Sequence, residues 1–262
     1  MKLGTQLSEK MKENSFMWAP HMYRRLMSSD KREREMCQRC LLGMKPLMFP
    51  PSLPLSKVMV RDLKSTLLPG LMELLKKGRK VQALHAWGWF IRLVGSLTLK
   101  NKNLVNEMLK VHQQTFADQD SQVQITSLIA WEGLTDALIY MPSAISDVTN
   151  PQISRAQKDG IVSPTSSQFN GSKVERRAFL KSLKLIMTLL TGIMSSKCDI
   201  AVKSSCFNTW CYLLQNLASF VSDPDVVIQV LEPILTAVFQ GGPEIRNIWF
   251  WNFCVSMLDD FD

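Results

Sequence analysis

The chain has 262 residues, of which 46% are hydrophobic and 21% are charged, a composition close to the average of globular proteins. This balance excludes a wholly disordered or collagen-like chain, and no uninterrupted apolar run of about 18 residues predicts a membrane span. The formal net charge is +8, and the first 80 residues hold 17 basic and 7 acidic side chains. So basic a segment favours an anionic partner, of which nucleic acid is the commonest.

Apolar residues recur every three or four positions along almost the whole chain, which predicts helices rather than strands. An N-terminal helix is predicted to be capped at Ser29 and Asp30, with Glu33 as its capping-box partner, and to end near Gly43. The prolines of 49–54 then break the chain. Later helices are predicted in pairs, at about 57–77 (kinked or split at Pro69-Gly70) with 80–96, 102–116 with 121–140, 173–194 with 197–220, and 224–239 with 244–258.

A tryptophan recurs in the second helix of each predicted pair. Trp87, Trp131, Trp210 and Trp249 are separated by 44, 79 and 39 residues, and the middle interval shrinks to about 47 without the long loop that it contains. Helical-hairpin repeats of the HEAT and armadillo type have periods of roughly 40–47 residues. The sequence therefore predicts an all-α solenoid of the HEAT/armadillo type, with the first three of these indoles buried.

We divide the chain into a basic N-terminal helical extension, residues 1–54, and a HEAT-type repeat domain, residues 55–262. A loop rich in serine, proline, asparagine and glycine interrupts the repeats at 141–172, and a connection of this length is typical of a flexible or partner-binding excursion. The last predicted helix is apolar nearly all round, so we expect an exposed apolar patch at the C-terminal end.

The residue types that carry catalysis do not form a known motif. His21, His85 and His112 lie far from any nucleophile motif, and glycine-rich phosphate loops are not found. Cys37 and Cys40 form a lone CxxC without the two further ligands that zinc requires, and the cysteines are expected to be reduced thiols. We therefore expect no enzymatic activity, no metal and no cofactor.

Two basic clusters are candidates for binding DNA phosphates. One is a row along a face of the helix at 173–194, and the other is a turn between the helices of the first pair. The row contains Lys173, Arg176, Arg177, Lys181 and Lys184, and the turn contains Lys76, Lys77, Arg79 and Lys80. Cations on successive hairpins can neutralise successive phosphates, although an ordinary solvated helix face has the same pattern. Because aromatic residues are not interleaved with them, these clusters predict sequence-independent backbone contact rather than base recognition.

The packing residues of the helices resemble those of a known family. The segments Ala86-Trp87-Gly88-Trp89-Phe90, Ala130-Trp131-Glu132-Gly133-Leu134 and Thr209-Trp210-Cys211-Tyr212 resemble the N-terminal helical-repeat region of Rap-interacting factor one, a telomere-associated regulator of replication timing. The similarity is greatest to plant members and covers about 55–260.

The resemblance implies a nuclear, non-catalytic scaffold of telomere maintenance, replication timing and DNA repair, which contacts the DNA backbone and has other chromatin or telomere proteins as partners. Longer members recruit a type-one phosphatase, but Lys57-Val58-Met59-Val60 lacks the final aromatic residue of a docking motif, so phosphatase recruitment is not expected. Because the chain is far shorter than family members, we expect a fragment or a short form. The alternative is an adaptor that binds partner peptides or helices without touching DNA; neither interpretation involves a membrane.

Overall fold

The structure is a computed structural model of the chain, and it describes residue 10 and residues 14–48, 61–94, 102–139, 173–217, 220 and 223–248. Within these ranges all regular secondary structure is helical, which confirms the all-α prediction. The helices are α1 (Ser15–Leu26), α2 (Lys31–Met48), α3 (Leu68–Lys76), α4 (Lys80–Val94), α5 (Lys102–Thr115), α6 (Ser121–Ile139), α7 (Lys173–Ser195), α8 (Ile200–Asn216) and α9 (Glu232–Gln240), followed by a helical segment at 243–248.

Two of the helices, α3 and α9, are each preceded by a π-helical turn, Leu63–Leu67 and Val227–Leu231 respectively. In both cases the second residue of the following α-helix is a proline, Pro69 or Pro233. Proline has no N–H with which to continue the i→i−4 hydrogen bonds, and a π turn widens the helix at that position. The chain is continuously helical over residues 61–76, so the helix is not split at Pro69, and a π turn precedes the proline instead.

The start of α2 follows the prediction more closely than its end does. The Asp30 carboxylate accepts a hydrogen bond from the Arg32 backbone N–H at 2.9 Å, as an N-cap should. Glu33 forms an ion pair with Arg25 of α1 instead of closing a capping box. The helix continues past Gly43, because a glycine inside a helix costs only about 1 kcal/mol.

The second helices of the predicted pairs lie against one another: α4 packs on α6, and α6 packs on α8. The closest approach is between α4 and α6, where a Cβ added to Gly133 would lie only 2.4 Å from the carbonyl oxygen of Gly88. Beside this crossing the indoles of Trp87 and Trp131 stack, with ring centroids 6.0 Å apart. Glycine is therefore required at this position for the two backbones to meet.

The three described tryptophans of the predicted repeat are buried, as expected: Trp87, Trp131 and Trp210 are 0%, 3% and 2% exposed. The Trp87 indole N–H donates to the Met108 carbonyl at 2.7 Å, and that of Trp210 donates to the Val230 carbonyl at 3.3 Å. Each acceptor belongs to the helix or π turn that follows the helix of its tryptophan. The two indoles thus connect one hairpin to the next.

The N-terminal helices pack onto the others and share their hydrophobic core. Tyr23 of α1 contacts the ring of Phe90 in α4 edge-on, with centroids 4.7 Å apart. From α2, the Lys45 ammonium lies 3.2 Å from the Asp136 carboxylate of α6 and donates to the Tyr212 hydroxyl of α8 at 2.6 Å. Lys45 of α2 thus contacts both α6 and α8, two of the three helices, α4, α6 and α8, that pack in succession and that we call the inner helices.

One helical stretch, Arg176–Ser195, is long and apolar enough to cross a membrane by length and composition alone, even though Lys181 and Lys184 lie within it. Its Phe179, Leu183, Ile186 and Leu190 are buried in the protein core. A core helix meets the same criteria, so this stretch carries no separate conclusion.

Several predictions fall outside the residues that the structure describes. They concern the loop at 141–172, the motif at 57–60, Trp249 and the apolar end of the helix expected at 244–258.

Candidate nucleic-acid interface

The basic row lies on the outer face of α7. Phe179 and Leu183 are 3% and 1% exposed and hold the opposite face against the core, while Arg177, Lys181 and Lys184 are exposed. Among the side chains that the structure describes, no carboxylate forms an ion pair with these three cations. The side chain of the predicted Lys173 lies outside the described residues. The three exposed cations are therefore free to meet an anion from solution.

Arg176 differs from its neighbours in the row because it is bound within the protein. Its guanidinium lies 2.9 Å from the Asp223 carboxylate and 2.7 Å from that of Asp225. The hydrogen bond to Asp225, together with the charge of Asp223, raises the pKa of Arg176. The contact joins the N-terminal end of α7 to the short helical turn Pro224–Val226, which comes after α8 and is capped by Asp223. Two carboxylates would compete with a phosphate for this side chain.

The second cluster is the turn between α3 and α4, where Gly78 has a positive φ of 73° that a glycine adopts without strain. Lys77 pairs with Glu73 at 2.6 Å, and Lys80 pairs with Asp118 from the turn before α6. The hydrogen bond from Lys80 lowers the pKa of Asp118. Lys76 and Arg79 are exposed. Two of the four predicted cations are thus already paired with carboxylates.

Beside this turn lies an open groove of about 640 Å³ that α2 borders on the other side. Lys31 and Arg34 add cations to its wall, and Glu35 and Asp120 add carboxylates. Arg34 also donates to the carbonyls of the α1–α2 turn. These α2 residues could not be assigned to the groove from the sequence, because a run of mixed charges does not indicate which later turn it faces.

The structure does not merge the two predicted clusters into one surface. The turn belongs to α3 and α4, whereas α7 packs on α6, α8 and α9. The helix α6 contacts both α4 and α7, which make no contact of comparable extent with each other. The α7 row therefore forms a separate basic face.

His112, whose pKa is shifted strongly, is part of the hydrophobic core. His112 contacts the rings of both Trp87 and Trp131 edge-on, beside their stack, and its Nδ1 is 2.7 Å from the Ser127 hydroxyl. Burial lowers the pKa of His112 to about 3, so the ring is neutral at physiological pH. An imidazole enclosed in this way packs and does not exchange protons with solvent.

The sulfur groups also lack the features of a reactive site. Cys37 is buried, which raises the pKa of its thiol to about 11, and Cys40 is exposed. All the cysteines in the described ranges are free thiols. Among those same residues, no group of three or more histidine, cysteine or carboxylate side chains is placed to hold a metal ion.

Comparison with known proteins gives one match. The family model described as Rap1-interacting factor 1 N terminal matches residues 1–226, a stretch that starts earlier and ends earlier than the 55–260 over which the resemblance was seen. No curated protein and no solved structure matches the chain. The matched stretch includes α1 to α8 and thus both basic clusters.

Proposed function

Because the chain belongs to the Rap1-interacting factor 1 family, whose members are non-enzymatic regulators of telomeres and chromatin, we propose that it is a nuclear scaffold that holds the DNA backbone through the α7 row. Replication timing and DNA repair are the processes in which it would act, with other chromatin or telomere proteins as partners. The observation that carries the proposal is the row of exposed cations on α7, within the matched region, with which none of the described carboxylates pairs.

We also propose that the helices form a HEAT-type solenoid. Three features support this arrangement: the inner helices α4, α6 and α8 pack in sequence, Trp87 and Trp210 make the same bond to the following helix, and α3 and α9 share a π turn before a proline. Each feature recurs at a corresponding place in different hairpins. Recurrence of this kind is typical of repeats that bury a continuous core by stacking.

The dimensions of the row suit a phosphate backbone. Arg177 and Lys184 are seven residues apart, which is about 10 Å along a helix and equals the rise of about three base pairs. Long, exposed lysine and arginine side chains bind phosphates as positioning contacts without reading base edges. The row would therefore bind duplexes of unrelated sequence alike.

The test compares two triple variants by fluorescence anisotropy with two unrelated labelled duplexes. In the first variant Arg177, Lys181 and Lys184 become alanine, and we expect affinity for both duplexes to fall by about tenfold or more at low salt. The matched control removes three surface cations that each pair with a carboxylate and lie outside both basic clusters, Arg24, Arg25 and Lys110. It removes the same charge and should leave affinity within about twofold. Equal losses in the two variants would remove α7 from the interface.

A second candidate function is a protein–protein adaptor. Its support comes from the segment after α8, where Ile228 and Phe239 are 55% and 68% exposed. Exposed apolar side chains of this size are typical of partner contacts when they lie together. An adaptor of this kind would bind its partner with little dependence on salt, whereas DNA binding weakens steeply as salt rises.

A further inference from the structure

The helix α2 borders two open cavities that α4 and α6 line on the other side. Two cavities, of about 640 and 250 Å³, separate it from α4 and α6, and Gln38 and His85 line both of them. Among the α2 side chains that the structure describes, Cys37 and Leu41 are buried. The Cys37 sulfur contacts the Met22 carbonyl of α1 at 3.4 Å. The helix thus packs on α1, and open space lies between its described side chains and the face of α4 and α6.

Lys45 connects α2 to that face, because its ammonium group lies in a polar site that we call the socket. The socket is built on Asp136, which is 1% exposed and accepts a hydrogen bond from the Arg92 guanidinium at 2.6 Å. Tyr212 donates its hydroxyl proton to the same carboxylate and accepts from Lys45 at 2.6 Å. The Lys45 nitrogen also lies 4.8 Å from the centre of the tyrosine ring. Carboxylate, hydroxyl and ring together recognise an ammonium group.

The inner face by itself is one cation short. It carries the carboxylates of Asp136 and Glu132 and one compensating guanidinium, that of Arg92, which lies 3.7 Å from Glu132. Lys45 supplies the missing charge from outside the face. Asp136, Glu132 and Arg92 all belong to α4 and α6. A cation from any helix that lies at Asp136 could therefore neutralise the remaining negative charge.

We propose that the face formed by α4, α6 and α8 is a docking surface for a partner helix that presents a lysine. Within the chain, α2 occupies this surface in place of the partner and is held there by the contacts of Lys45 with Asp136 and Tyr212, which we call the latch. Charge complementarity at Asp136 selects the lysine. The smaller cavity selects an apolar side chain beside it, because Leu42 of α2 and Ile129 of α6 both line this cavity and remain 60% and 42% exposed. A helix seated deeper than α2 would bury this apolar surface.

The latch is tested first by hydrogen exchange on the whole chain. In Lys45→Gln the socket keeps Arg92 and Tyr212 as partners of Asp136, so the core should persist while α2 amides exchange at least about tenfold faster. The matched control is Lys31→Gln on the same helix, whose lysine pairs only with Glu35 at 3.6 Å on the surface; its exchange should match wild type. Equal exchange in all three proteins would overturn the proposal.

The docking surface is tested by capture of a labelled peptide with the sequence of residues 29–48, serines replacing its cysteines. It should bind the Lys45→Gln chain about tenfold more tightly than it binds wild type, and a peptide with glutamine in place of the lysine at position 45 should not bind. Capture that does not depend on this lysine, or no capture, would overturn the proposal. Dimerisation of the variant without peptide capture would overturn it too, since the face would then belong to a second copy.

A second variant, Lys45→Met, keeps the apolar stem and removes the charge. If both Lys45 variants lose helical circular dichroism throughout, Lys45 is a folding residue and the proposal is wrong. If both variants keep their helical circular dichroism and hydrogen exchange becomes faster in α2 alone, the latch is supported.

Discussion

The crossing of α4 and α6 makes a sharp prediction about Gly133. In Gly133→Ala the new Cβ would lie 2.4 Å from the Gly88 carbonyl oxygen and 3.1 Å from its carbon, where ordinary contact begins at 3.4 Å. Both neighbours are backbone atoms, so the helices themselves must separate by ~1 Å. Overpacking typically costs about 1–3 kcal/mol, and a rigid backbone contact belongs at the upper end. The higher helix propensity of alanine returns about 1 kcal/mol, which leaves a net loss of about 2 kcal/mol.

The assay is thermal unfolding followed by circular dichroism. For a chain of this size a loss of about 2 kcal/mol lowers Tm by roughly 4–8 °C. The control is Gly192→Ala, because Gly192 is also helical but no atom lies within 4 Å of its added Cβ; this change should raise stability by up to about 1 kcal/mol. If both substitutions raise Tm alike, the close crossing, and the stacking of Trp87 on Trp131 beside it, are wrong.

Three further predictions concern buried groups. His112 has a pKa of about 3 in the folded protein and about 6.5 when unfolded, so the unfolded chain takes up a proton first as the pH falls. The unfolding free energy should therefore decrease below pH 6.5, by up to about 1.4 kcal/mol per pH unit. Measured by urea unfolding, the decrease between pH 7 and pH 5 should be smaller in His112→Gln than in wild type, and equal decreases would contradict this. Asp136→Ala removes the nearer of the two carboxylates that pair with the buried Arg92 guanidinium and leaves only Glu132, at 3.7 Å. The unfolding free energy should therefore fall by about 3 kcal/mol, the lower end of the loss for a broken buried pair, and a change below about 1 kcal/mol would refute the network. Cys40 should react with a thiol reagent at least about tenfold faster than Cys37, as followed by mass spectrometry, since only the thiolate of an accessible cysteine reacts; equal rates would contradict the burial of Cys37.

Helix positions could be predicted because spacing and caps are local. The ranges expected at 80–96 and 121–140 differ by no more than two residues from α4 and α6, and Trp210 was expected to be buried from its apolar neighbours alone. The π turns before Pro69 and Pro233 were not predicted as such, because a proline in a helix allows either a kink or a widened turn. Which one forms depends on packing with neighbouring helices.

The pairing of charges could not be predicted, because it joins residues distant in sequence. Arg176 belonged to the predicted row by helical spacing, but its acceptors lie 47 and 49 residues later. The sequence around Lys45 contains no motif, since it is a single lysine next to a proline, although its side chain contacts Asp136 and Tyr212 from distant helices. Sequence spacing determines the face of a helix on which a cation lies, and tertiary structure decides whether a carboxylate lies opposite it.

The most direct test of the central claim is the salt dependence of duplex binding. Wild type and the triple variant of Arg177, Lys181 and Lys184 are titrated with one duplex across a range of salt concentrations, and log Kobs is plotted against log salt. If these cations neutralise phosphates, the slope of the variant should be shallower by about 0.9 for each phosphate that the variant no longer neutralises. Identical slopes for the two proteins would contradict the assignment of this face to DNA.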